Sequence, residues 1–147
     1  MQDDELLRAL LAVQQAGKVR HIGISFSPAN GLQIPSGYPF APLVQTSVNP
    51  WTLRPAGLDG TEIVANHVWG GSQFGRQGET LVRLAKEENV TARQLLIAYA
   101  AQRPSVKVTL VGTGRAEHLR ENLGAIGRSL SAETIRRLDA MGGDSRV

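Results

Sequence analysis

At 147 residues, the chain is long enough for one domain with its own core, spanning residues 1–147. Its 41% hydrophobic and 20% charged content excludes a disordered tail, and its scattered net charge of +3 offers no basic stripe for nucleic acid. The lack of cysteine excludes disulfides, thiolate catalysis and Cys-type zinc sites, and His21, His67 and His118 lie too far apart to form a metal pair.

The segment MQDDELLRALL is acidic where a signal peptide is basic, and no apolar run reaches membrane-spanning length, so the expected setting is cytoplasmic. From Glu5 to Gln15 the apolar residues Leu6, Leu7, Leu10, Leu11 and Val13 recur at helical spacing, and Gly17 supplies a stop. Val19 to Ser25 reads as a strand, and the Gly- and Pro-rich stretch Gly31 to Pro42 as loop. Leu43 to Val48 predicts a second strand, ended by Asn49-Pro50, and Glu62 to Ala65 a third.

Gly70-Gly71 through Arg76 reads as a glycine-rich loop. Leu81 to Glu88 predicts a helix with Asn89 as its cap, and Thr91 caps an amphipathic helix carrying LLIAYAAQ. Val106 to Val111 is the fourth strand, followed by Gly112-Thr113-Gly114. Helices are expected over Glu117 to Ile126 and from Ser131-Ala132-Glu133 onward. Strands alternating with helices predict an α/β fold with a parallel sheet. Such a sheet is normally buried on both faces, so four strands standing alone are awkward unless they form half of a closed barrel.

In parallel sheets ligands sit beyond the carboxyl ends of the strands. There, Gly112-Thr113-Gly114-Arg115 joins a strand to a helix. It reads either as a seat for a phosphate, with Thr113 and Arg115 as donors, or as a capping turn with a solvated arginine. The Gly70–Arg76 loop has the same two readings, a connector being the more ordinary. Gln45 is either a satisfied core amide or a ligand contact. His67 lacks a neighbouring carboxylate to orient it as a base, Trp51 and Trp69 suit packing, and Tyr99 suits the core.

Three blocks resemble the aldo-keto reductase family: GKVRHIGIS (Gly17 to Ser25), PLVQTSVNP (Pro42 to Pro50) and VTARQLLIAYAAQRPSVKVTLVGTGRAEHLRENLGAI (Val90 to Ile126). The resemblance implies half of a (β/α)8 TIM barrel, strands five to eight with their helices, and a cofactor of the NADP (NADPH) type. It implies that Ser25 and Gln45 hold the nicotinamide carboxamide. By the same resemblance Gly71, Ser72, Gln73 and Arg76 belong to the loop over the pyrophosphate. Thr113, Arg115 and His118, beside Gly112, would surround the 2′-phosphate, with Glu121 and Asn122 on the adenine.

Two positions depart from the family pattern: Phe26 stands where Asn usually follows the serine, and Asn66 where an aromatic stacks on the nicotinamide. The segment from Trp51 to Gly60 is also short for a connecting helix. The family's catalytic Asp, Tyr, Lys and His belong to the other half-barrel, so no catalytic residue is expected here; Tyr38, Lys18, Lys107 and His67 stand in the wrong motifs. Three roles remain open: a cofactor-binding half that is inactive alone, one chain of a split reductase, or a non-catalytic interaction or regulatory module associating through its sheet edges.

Overall fold

The computed structural model describes residues 2–25, 43–52 and 60–142. Its elements run α1 (Gln2–Gln15), β1 (Gly23–Ser25), β2 (Leu43–Ser47), β3 (Glu62–Asn66), α2 (Ser72–Arg76), α3 (Gly78–Glu87), α4 (Ala92–Ala101), β4 (Val106–Thr109), α5 (Ala116–Leu123) and α6 (Ala132–Met141). The four strands pair in chain order, β1-β2-β3-β4, and all pairings are parallel, so the expected α/β class holds. The loop expected over 31–42, and Phe26 and Tyr38 with it, lies outside the described residues.

Local chemistry explains most of the boundaries. Helix α1 stops at Gly17, whose φ of 70° lets its N–H reach Gln14 O while Lys18 N–H reaches Val13 O. Asn89 ends α3 the same way: its φ is 54°, and Val90 N–H returns to Ala85 O. Thr91 opens α4 with a capping box in which its hydroxyl accepts from Gln94 N–H and the Gln94 side chain accepts from Thr91 N–H. Ser131 caps α6 by accepting from Thr134 N–H at 3.1 Å.

Burial alternates along the strands and so defines two sheet faces. Val44 and Thr46 on β2, and Ile63 and Ala65 on β3, point into the helical layer and are buried. Gln45 and Val64 take the opposite face and are half-buried. The main core lies among the helices, where Leu81, Leu84, Leu95, Leu96, Tyr99 and Leu138 pack together. A second cluster, with Ala65, Val68, Ile97, Ala100 and Ala125, fastens α4 and α5 to the sheet.

The β3–β4 pairing carries a bulge: Ile63 faces Val106 and Val64 faces Val108, leaving Lys107 as the extra residue.

Several expectations are corrected. The strand expected from Val19 begins only at Gly23, because Gly23↔Leu43 is the first pairing with β2 among the described residues. The stretch Gly70–Arg76 is not all loop, since Ser72–Arg76 forms α2. Gly70 and Gly71, at φ 66° and 58°, turn the chain so abruptly that a helix starts at once. Gln77 N–H then bonds Gln73 O, so α2 runs almost directly into α3, overriding the poor propensity of Gly75.

Helix α3 starts at Gly78 rather than Leu81, and α5 ends at Leu123, short of Ile126, before a turn containing Gly127 at φ 72°. The α4 segment is not amphipathic. All of Leu95 to Ala100 is buried, because the sheet, α3 and α5 surround it. Among the described residues no helix is long and apolar enough to cross a membrane.

Candidate functional site at the carboxyl ends of the strands

Because the strands are parallel, Ser25, Asn66 and the loop after Thr109 share one end of the sheet. Ser25 pairs in register with Gln45, Gln45 with Val64, and Val64 with Val108. These four residues form a row across the face turned away from the helices. Neighbouring strands lie about 4.8 Å apart, so Ser25 and Gln45 are side by side on that face. Beyond the row, Asn66 at the end of β3 stands beside Ser47.

Asn49 governs the loop after β3. It is 3% exposed, its Nδ2 donates to His67 O at 3.0 Å, and its Oδ1 accepts from Trp51 N–H and the Thr52 hydroxyl. That grip holds His67 at φ 49°, a conformation uncommon outside glycine. The following Gly70 is obligatory on two counts: its φ is positive, and a Cβ there would lie 2.2 Å from the Trp51 ring.

His67, Trp69, Gly71, Phe74 and Arg93 line a cavity of about 250 Å³ over this loop. The Arg93 guanidinium sits 5.3 Å from the Trp69 ring centroid, and Trp69 Nε1 has no protein partner. Ser72 and Arg76 are exposed and Gln73 half-buried beside it.

After β4 the chain reaches Gly112-Thr113-Gly114-Arg115. The Thr113 hydroxyl accepts from Arg115 N–H at 3.1 Å, and no side chain caps α5 at its N-cap, Arg115. The first-turn N–H groups of α5 are therefore open to an incoming acceptor. Arg115 is ion-paired with Glu117, which brings a negative charge into that same turn. His118 is half-buried on the next turn.

Helix α5 is fixed to α4 by a joint that sequence inspection missed. Thr91 Oγ1 donates to Glu121 Oε1 at 2.7 Å, and Gln94 Nε2 donates to Glu121 O at 2.8 Å. The signal was there, since the same two residues make the capping box, but their second role depends on where α5 docks. Asn122 is the anomaly of this helix. It is 3% exposed, yet both its Oδ1 and its Nδ2 lack a protein partner, and it lines a cavity of about 460 Å³ with Thr109, Val111 and Leu119.

The expected site residues thus fall into three groups at one end of the fold: Ser25 with Gln45, Gly71 to Arg76, and Gly112 to Asn122. No hydrogen bond or ion pair among the described residues links the second group to the third. The described residues also hold no cluster of three or more His, Cys, Asp or Glu that suits a metal ion. In chemical terms the site offers an amide and hydroxyl pair, cations with open helix N–H groups, and a buried amide.

The chain is 28% identical to the oxidoreductase YdhF of Escherichia coli, covering 92% of this chain and 49% of that protein. It is 24% identical to an uncharacterized oxidoreductase of Schizosaccharomyces pombe, covering 90% of this chain and 45% of that one. It spans about half the length of these curated relatives. Among solved structures it superposes on a thermostable aldo-keto reductase crystallised with the inhibitor epalrestat, with a TM-score of 0.73 and 28% identity over 92% of this chain and 53% of the other. An aldose reductase from Giardia lamblia also matches, with a TM-score of 0.73 and 18% identity over 92% and 49%, a likeness of fold. The model of the aldo/keto reductase family matches residues 39–142, so the chain belongs to the aldo/keto reductase family.

Proposed function

We propose that residues 1–147 are the cofactor-binding half of an aldo/keto reductase barrel, with β1 to β4 standing as strands five to eight, and that they bind NADPH. The observation that carries this reading is Asn122: a buried amide with neither atom bonded to protein, on a helix whose first turn is uncapped. A buried amide left unpaired costs about 1–3 kcal/mol, which binding of a hydrogen-bonding ring would recover.

Glu121 and Asn122 then meet the adenine. Thr113, Arg115 and His118, at the turn begun by Gly112, hold the 2′-phosphate. Gly71, Ser72, Gln73 and Arg76 cover the pyrophosphate, and Ser25 with Gln45 orients the carboxamide. The fit is poorer at the reactive end, where Asn66 offers no ring to stack on the nicotinamide. Phosphate binding also requires Arg115 to loosen its pair with Glu117. When bound, NADPH supplies a hydride for reducing an aldehyde or ketone. This chain's residues hold and orient it, and the proton donor comes from elsewhere.

Titrating NADPH against the fluorescence of Trp51 and Trp69 tests the reading. Saturable quenching, weaker for NADH, is expected; its absence at millimolar NADPH would overturn it.

The edge of β4, unpaired among the described residues, favours a second reading, in which a separate first half-barrel completes an active reductase. Carbonyl reduction that appears only on mixing with such a half supports this. A half that binds without activity leaves the chain as an interaction or regulatory module.

A further inference from the structure

A second candidate site, independent of the cofactor reading, lies on the opposite face of the sheet. A cavity of about 270 Å³ is enclosed between the helical face of β2, the starts of β3 and β4, and the ends of α4 and α6. Its floor is Thr46, which is 1% exposed and whose hydroxyl has no protein partner. Thr46 points away from Gln45, its neighbour on the strand, so nothing bound to the Ser25–Gln45 row reaches it.

Val48, Ile63 and Val106 make the apolar walls. At the mouth the Tyr99 hydroxyl donates to Asp139 Oδ1 at 2.7 Å, Arg103 pairs with the same oxygen, and its guanidinium lies 4.1 Å from the Tyr99 ring centroid. Those charges satisfy one another and leave the entrance neutral, which disfavours an ionic ligand. The rim is closely packed, since a Cβ on Gly142 would lie 2.3 Å from Pro50 O.

Size and chemistry together define the ligand. An apolar cavity of about 150 Å³ accepts benzene, so this one admits a single substituted ring. Among the described residues, Thr46 Oγ1 is its one fully buried side-chain polar atom without a protein partner, and a hydroxyl both donates and accepts. We propose that the cavity binds a small neutral ring bearing a hydroxyl, a phenol or cyclic alcohol, with the hydroxyl on Thr46 and the ring against Ile63 and Val106.

Phenol is the probe, followed by amide chemical shifts of the whole chain. The expected result is saturable shifts centred on Thr46, Ile63 and Val106 with a Kd of roughly millimolar, unchanged by saturating NADPH. Thr46→Val keeps the volume and weakens binding about fivefold, and Ile63→Phe fills the cavity and abolishes it. Should Ile63→Phe fail to fold, the Thr46→Val comparison decides alone. Shifts that do not saturate, shifts centred on Trp69 or α5, competition with NADPH, or equal affinity in Thr46→Val would each overturn the proposal. None of these results depends on whether NADPH binds at the other face.

Discussion

Asn122 and Gly70 show how single residues here answer to different demands. Gly70 serves the fold, because its positive φ and its contact with the Trp51 ring leave no room for a side chain. Asn122 serves no visible protein partner, and its two unpaired amide atoms oppose folding. Replacing it with Leu, of similar size, is therefore expected to raise the thermal midpoint by about 2–4 °C while weakening NADPH binding about tenfold. Melting curves and a fluorescence titration on the same sample check both halves of that trade. A variant that loses stability would show that Asn122 is a packing residue. Burial also pushes the Tyr99 phenol above its ordinary range, with its hydrogen bond to Asp139 adding to the rise, so it remains a proton donor to that carboxylate in alkaline solution.

The helices are joined end to end by polar clasps rather than by apolar packing alone. Glu88, just past α3, accepts from Ser131 Oγ at 2.6 Å and from Ser131 N–H at 3.1 Å, tying α3 to the N-cap of α6. Those bonds hold the Glu88 carboxyl below its usual value of 4.5, the Ser131 hydroxyl contributing most. A depressed folded value means that the carboxylate form favours the fold. Its contribution is whole above the unfolded pKa and is lost as pH falls through the folded one. Thermal midpoints measured from neutral pH down to about 3 should therefore drop, and Glu88→Gln should flatten part of that drop.

The caps at Gly17, Asn89, Thr91 and Ser131 were legible in the sequence because each rests on bonds within a few residues. The clasps from Glu88 to Ser131 and from Thr91 to Glu121 were not, since they span 43 and 30 residues and exist only once the helices have docked. Helix α2 was hidden for a related reason: its glycines signal a loop, and only its junction with α3 makes it helical.

At the scale of the whole molecule, the parallel sheet was legible, because strands alternating with helices favour parallel pairing. The candidate site residues were legible as three separate segments, and the parallel pairing brings the strand ends that carry them to one side of the sheet. Several large apolar side chains on and near β4 and α5 are exposed: Val108 and Leu110 on or beside β4, with Leu119, Leu123 and Ile126 on or after α5, Ile126 by 75%. Exposed apolar side chains around a strand edge that is unpaired among the described residues promote association. Light scattering should show a mass above 15.8 kDa that grows with concentration, and Leu123→Glu with Ile126→Glu should return it to the monomer value without lowering the thermal midpoint.

The bulge at Lys107 has a consequence of another kind. Val106 and Val111 both join the core under the sheet although they stand five residues apart, an odd interval that an unbroken strand would send to opposite faces. The bulge restores the phase, because Lys107 stands outside the pairing. Deleting Lys107 would leave Val106 and Val108 as successive partners of Ile63 and Val64, so every side chain from Val108 onward would keep its face and only the local bend would be lost. The pleat stays in phase here because one residue is left out of the ladder, whichever residue that is.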